Sequence, residues 1–85
     1  MDEKIWSLYI LRCGDGTLYT GIALNVEKRF KAHCTGRGAK YTRGRGPLTL
    51  LYQEVCGDHP AALRRELEVK ALSRQEKEHL IAEKV

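Results

Sequence analysis

The sequence predicts an α+β domain, a small three-stranded sheet flanked by helices in the order β-β-α-β-α-α. Three observations predict it. A β-prone hairpin opens the chain, a capped short helix follows from Asn25, and two stretches of good helix formers close the chain after Pro60 and Ser73. At 85 residues the chain has room for one compact folding unit with a thin core, so residues 1–85 are expected to form a single domain.

Ile5 to Arg12 is apolar and β-rich on both alternating sets, Trp6, Leu8 and Ile10 against Ile5, Ser7, Tyr9 and Leu11, which predicts a strand with both faces largely buried. Cys13-Gly14-Asp15-Gly16 supplies turn residues, and Thr17 to Ile22 returns as a second strand. Asn25 is a good N-cap for a helix from Val26 to Cys34 with an apolar stripe of Val26 and Phe30. Arg29 and His33 flank that stripe, and both are expected at the edge of the core. Gly36 ends this helix. Thr35 to Pro47 carries too many glycines and charges for regular structure and reads as an exposed loop.

Leu48 to Val55 is the third strand. Pro60 suits the first turn of a second helix over Ala61 to Leu72, with Asp58 or His59 just before it. On that helix Glu66 and Lys70 project between Ala62/Val69 and Leu63/Leu67, so Glu66 looks inward and needs a partner, whether a cation or Lys70 one turn on. Ser73-Arg74-Gln75-Glu76 reads as a capping box opening a third helix that runs towards Lys84.

Charge is informative in its distribution. The formal net charge is only +4, yet between Lys28 and Gln53 every charged residue is basic: Lys28, Arg29, Lys31, Arg37, Lys40, Arg43 and Arg45. Gly36, Gly38 and Gly44 interleave them, a composition that suits a polyanion whose phosphates approach both cations and backbone amides. Arg37, Lys40, Tyr41, Arg43 and Arg45 are the candidate nucleic-acid contacts. No stretch approaches the roughly 18 apolar residues of a membrane span. Asp2 and Glu3 do not suit a signal peptide, so a cytoplasmic protein with no membrane partner is expected. Cys13, Cys34 and Cys56 read as reduced thiols, buried or semi-buried; the single C-x-x-H from Cys56 to His59 is a poor zinc signal.

Taken singly, Tyr9 and Tyr19 are half-buried strand aromatics. Taken with an Arg, a carboxylate and a basic loop they suit phosphoryl transfer. The segments Leu8-Tyr9-Ile10 and Tyr19-Thr20-Gly21, Arg29 with His33, the tract Gly38-Ala39-Lys40-Tyr41-Thr42-Arg43 and the helix start Ala62-Leu63-Arg64-Arg65-Glu66 fall in order and at the right spacings. In these the chain resembles the GIY-YIG nuclease family over nearly its whole length, and most closely its small single-domain bacterial branch, the YhbQ-like proteins. Two departures accompany the likeness. Ser7 or Leu8 stands where the full first motif has Gly or Ile, and the late asparagine of many members has no counterpart, Asn25 being the only asparagine.

The resemblance implies a small α/β sandwich and a metal-dependent endonuclease acting on DNA, with branched or damaged structures of repair or recombination as candidate substrates. It implies that Glu66 holds Mg²⁺ or Mn²⁺ with few other protein ligands and that Arg29 braces the scissile phosphate. One of the two tyrosines, Tyr9 ahead of Tyr19, assists deprotonation of water, and Tyr19 and His33 hydrogen-bond nearby. The alternatives are a nucleic-acid-binding module of little turnover that works with a protein partner supplying targeting, and a protein-interaction domain whose basic face is incidental.

Overall fold

The computed structural model describes residues 4–83. Its elements follow the expected order: β1 (Trp6–Arg12), β2 (Leu18–Ala23), α1 (Val26–Cys34), a 3-10 turn (Lys40–Thr42), β3 (Thr49–Gly57), α2 (His59–Lys70) and α3 (Arg74–Glu83). The three strands form one antiparallel sheet in the order β2-β1-β3. β1 is therefore central, which explains why both of its alternating sets are apolar.

The two sets feed two cores. Leu8 and Ile10 pack with Tyr52 and Val69 on the face covered by α2, where Leu80 and Ile81 of α3 also pack. Tyr9 and Leu11 pack with Ala23 and Val26 on the opposite face, where Phe30 of α1 closes the layer. Helices on both sides of a three-stranded sheet give an α+β sandwich, as the pattern predicted.

Local chemistry sets the helix ends. Asn25 Oδ1 accepts from Lys28 N–H at 3.0 Å, and α1 has the predicted bounds. Asp58 Oδ1 accepts from Ala61 N–H at 3.0 Å, so α2 begins two residues before the expected Ala61. The Ser73–Glu76 box closes reciprocally, Ser73 N–H donating to Glu76 Oε1 at 2.8 Å and Glu76 N–H to Ser73 Oγ at 3.1 Å. The expected end of the third helix at Lys84 lies outside the described residues.

Several expectations are corrected. The segment after α1 is not simply an exposed loop: its 3-10 turn buries Thr42, 2% exposed, against α1. Leu63 and Leu67 do not form a second apolar wall beside Glu66, because at 40% and 69% exposure they lie on the open side of α2. Cys34, at the end of α1, is exposed rather than semi-buried. The inner anchor that periodicity did not reveal is Arg65. Its Nε and Nη2 grip the two carboxylate oxygens of Glu54 at 3.0 and 3.1 Å, while the Tyr52 hydroxyl donates to Glu54 at 2.6 Å. This fork fixes α2 to β3.

Candidate active site

Tyr9 is not half-buried, as a strand aromatic would be expected to be, but 1% exposed, because it stands on the central strand under α1. Its hydroxyl lies 2.8 Å from His33 Nε2. The register places Gly21 opposite Tyr9, and a Cβ at Gly21 would come within 2.6 Å of the Tyr9 hydroxyl oxygen. Only a residue without a side chain lets the phenol extend across β2 to the sheet edge.

The two helix residues expected together at the core edge separate. His33 is 2% exposed and Arg29 is exposed. Burial first, and the Arg29 guanidinium second, push the His33 imidazole below its ordinary value, so it is neutral at neutral pH. On its far side, His33 Nδ1 lies 2.9 Å from Thr42 Oγ1, and Thr42 in turn donates to the Ala39 carbonyl at 2.9 Å. In the Nδ1–H tautomer a directed chain would run from Tyr9 O–H to His33 Nε2, from Nδ1–H to Thr42 Oγ1, and from Thr42 O–H to Ala39 C=O. In the other tautomer Nδ1 accepts from the Ala39 amide at 3.2 Å and Nε2–H donates to the Tyr9 oxygen.

Burial pushes the Tyr9 phenol up to about 12; a hydrogen bond from Arg29 opposes it, and the charges of Tyr19 and Glu66 add to it. All four sequence-predicted partners of Tyr9 therefore act on one hydroxyl: His33 and Arg29 by hydrogen bonding, Tyr19 and Glu66 through space. The Tyr19 ring meets His33 edge-on at 5.3 Å and lies 6.3 Å from the Tyr9 ring. Glu66 keeps 18% of its side chain exposed and pairs with Lys70 Nζ at 3.3 Å, one of the two partners expected for it, while its charge also reaches the Tyr9 hydroxyl.

The loop candidates divide. Tyr41 stacks on Tyr19 at 5.7 Å, joining the loop to the site. Arg45 lies over the Tyr41 ring at 4.4 Å and gives Nη1 to Asp15 Oδ2 at 2.6 Å. It is a clasp rather than a free cation. The stretch without acids in sequence acquires an acid in space, because the turn between β1 and β2 carries Asp15 to it. The Thr17 hydroxyl and amide, with Arg45 after them, hold the Asp15 carboxyl below its usual range. Arg37, Lys40 and Arg43 are exposed and pair with no carboxylate among the described residues.

The sequence alone assigns no role to Thr42 or Gly21, and to Gly38 only one in phosphate approach, not in packing against His33. Gly38 is the tightest of the three: a Cβ there would overlap His33 Nδ1 and approach its Cα at 2.7 Å. All three lie inside the quoted motif tracts, which was the available signal.

Residues 5–79, which span the tyrosine hairpin, α1 and α2, match the GIY-YIG catalytic domain. The chain belongs to the GIY-YIG family. It is 49% identical to UPF0213 protein SG0387 of Sodalis glossinidius over 82 residues, 96% of this chain and 77% of that protein. It is likewise 49% identical to UPF0213 protein YhbQ of Escherichia coli K12 over 78 residues, 92% of this chain and 78% of that one. The solution structure of UPF0213 protein BH0048 from Bacillus halodurans superposes with a TM-score of 0.59 at 47% identity, covering 92% of this chain and 83% of the other. This GIY-YIG domain thus sits among small bacterial proteins of the nuclease superfamily. Among its described residues no helix is long and apolar enough to cross a membrane.

Proposed function

We propose that this GIY-YIG domain is a divalent-metal-dependent endonuclease that hydrolyses phosphodiester bonds of DNA, with Tyr9 and His33 as its proton-handling pair. The observation that carries the reading is the buried Tyr9 hydroxyl 2.8 Å from His33 Nε2. A phenol pushed up to about 12 is scarcely ionised near neutral pH. Tyr9 therefore accepts a proton from the attacking water only as it passes its own to His33, which burial keeps unprotonated. Thr42 holds the ring in the tautomer that leaves Nε2 open. As the water oxygen bonds to phosphorus and the leaving oxygen departs, charge grows on the phosphate oxygens, and the exposed Arg29 guanidinium can fork onto them. The Tyr19 hydroxyl supplies a further hydrogen bond at the same edge.

Glu66 fits a hard cation that keeps most of its waters. It is a partly open carboxylate, and no group of three or more His, Cys, Asp or Glu among the described residues is placed to cage a metal. A bound Mg²⁺ or Mn²⁺ would offset charge on the phosphate and on the leaving oxygen. The Lys70 ion pair favours a second reading, a nucleic-acid-binding module in which Glu66 is committed to its helix neighbour. An assay separates the two. Wild type, Glu66→Ala and Tyr9→Phe are incubated with linear, branched and single-stranded DNA in magnesium or manganese. Metal-dependent cleavage falling by about 10²-fold or more in both variants is expected; binding by all three proteins with cutting by none would leave the binding module.

A further inference from the structure

One helical turn before His33, a second concavity shares Arg29 with the tyrosine site. The cleft has a volume of about 630 Å³ and opens where the end of β2 meets α1, with Trp6, Ile22, Leu24, Asn25, Lys28 and Arg29 in its lining. Its walls are apolar. Trp6 is fixed from one side by the His59 ring, centroid to centroid 4.5 Å, and Leu24 keeps 47% of its surface exposed although it adjoins the core. Its rim is cationic, with Lys28 and Arg29 and, among the described residues, no acidic one in the lining. Asn25 uses its side-chain oxygen to cap α1, so its amide nitrogen is the donor that remains for an occupant.

An apolar slot of this volume lies within the roughly 300–1,000 Å³ of small-molecule sites. An aliphatic ligand would satisfy the walls but leave both cations without a counter-charge. A nucleotide satisfies both, because its base is a planar apolar surface with polar edges and its phosphate lies one sugar away. We infer that this cleft is a nucleobase subsite, taking the base attached to a phosphate held at Arg29, with Trp6 and Leu24 against the base and Lys28 on the adjoining phosphate. The inference rests on the phosphodiester reading of the tyrosine site and adds a substrate requirement to it. A base inside a duplex stack cannot enter a slot in the protein, so the nucleoside beside the cut must be free to leave its stack.

Trp6 is the only tryptophan in the chain, so fluorescence excited at the red edge, where the tyrosines scarcely absorb, reports on the cleft. Wild-type protein in EDTA, which blocks turnover, is titrated with a deoxypentanucleotide and with the same backbone made abasic. A saturable change in Trp6 emission with the first and none with the second is expected. By anisotropy with a labelled pentanucleotide, Trp6→Ala should bind about tenfold more weakly, and Leu24→Ala, at an exposed position, should shift affinity the same way without threatening the fold. Neither should alter affinity for the abasic strand. Normal binding and cleavage with unchanged Trp6 emission, or equal affinity for both strands, would overturn the subsite and leave the nuclease reading standing. Failure to bind any nucleic acid would remove that reading and the subsite with it.

Discussion

A methyl group added at Gly38 has nowhere to go: it would overlap the His33 imidazole and press on the backbone behind it. The backbone there is not left-handed, so the requirement is one of space alone. Gly38→Ala should therefore destabilise the domain by about 1–3 kcal/mol, measured by urea denaturation, and should displace His33, seen as a change in its imidazole NMR shifts. An unchanged His33 signal in a fully stable variant would contradict this packing. Thr20 offers the opposite case. Its hydroxyl is buried on β2 with no partner among the described residues. Thr20→Val keeps the shape and removes the polar atom, and the expected outcome is a gain of about 1 kcal/mol with the Tyr9 site untouched; a loss of stability would reveal a bond to the hydroxyl.

The segment between α1 and β3 shows most clearly what an element can hide from its sequence. Glycines and charges announce a loop, and a loop it largely is, but Thr42 is buried in it, Tyr41 stacks back onto Tyr19 of the sheet and Arg45 lies over Tyr41. Those contacts join residues far apart in sequence, and no periodicity within the segment encodes them. Its cations consequently have different work. Neutralising Arg37, Lys40 and Arg43 together should weaken DNA binding and lower the slope of log affinity against log salt by up to about 3, with stability unchanged. Asp15→Asn should do the reverse, loosening the Arg45 clasp and raising proteolytic sensitivity of the loop. A triple variant with the wild-type salt slope would take the loop out of DNA binding.

At the scale of the whole molecule, the protonation of buried groups sets the pH range of the fold. His33 has a folded pKa below its unfolded value near 6.5, so the stabilisation it carries is complete above about 6.5 and is lost as pH falls through the lower folded value. Tyr9 works at the other end: its folded pKa is raised to about 12 from 10.0, so its contribution is complete below 10.0 and is lost as pH rises towards 12. Thermal melts across pH should show both limbs. His33→Gln should shrink the acid limb and Tyr9→Phe the alkaline one; limbs identical to wild type would assign them to other groups.

Much of this fold was legible because alternation, caps and breakers act locally. The burial of both faces of β1, the span of α1 and the Ser73–Glu76 box all follow from neighbours within a few residues. The site was legible in membership but not in arrangement: Tyr9, Tyr19, Arg29, His33 and Glu66 could be named from motif order. The complete burial of Tyr9, the Thr42 support and the neutralisation of Arg45 by Asp15 depend on which strand is central and where a turn lands.

That turn has a mechanical consequence. Gly14 N–H donates to the Arg45 carbonyl at 2.5 Å, Asp15 holds the Arg45 side chain, and the Gly16 carbonyl accepts from Arg74 Nη1 at 2.8 Å. Three consecutive residues thus buckle the loop and the start of α3 to the tip of the hairpin that carries both tyrosines. Pulling on the C-terminal helix would be felt at the tip of the hairpin, on the segment that also clasps Tyr41.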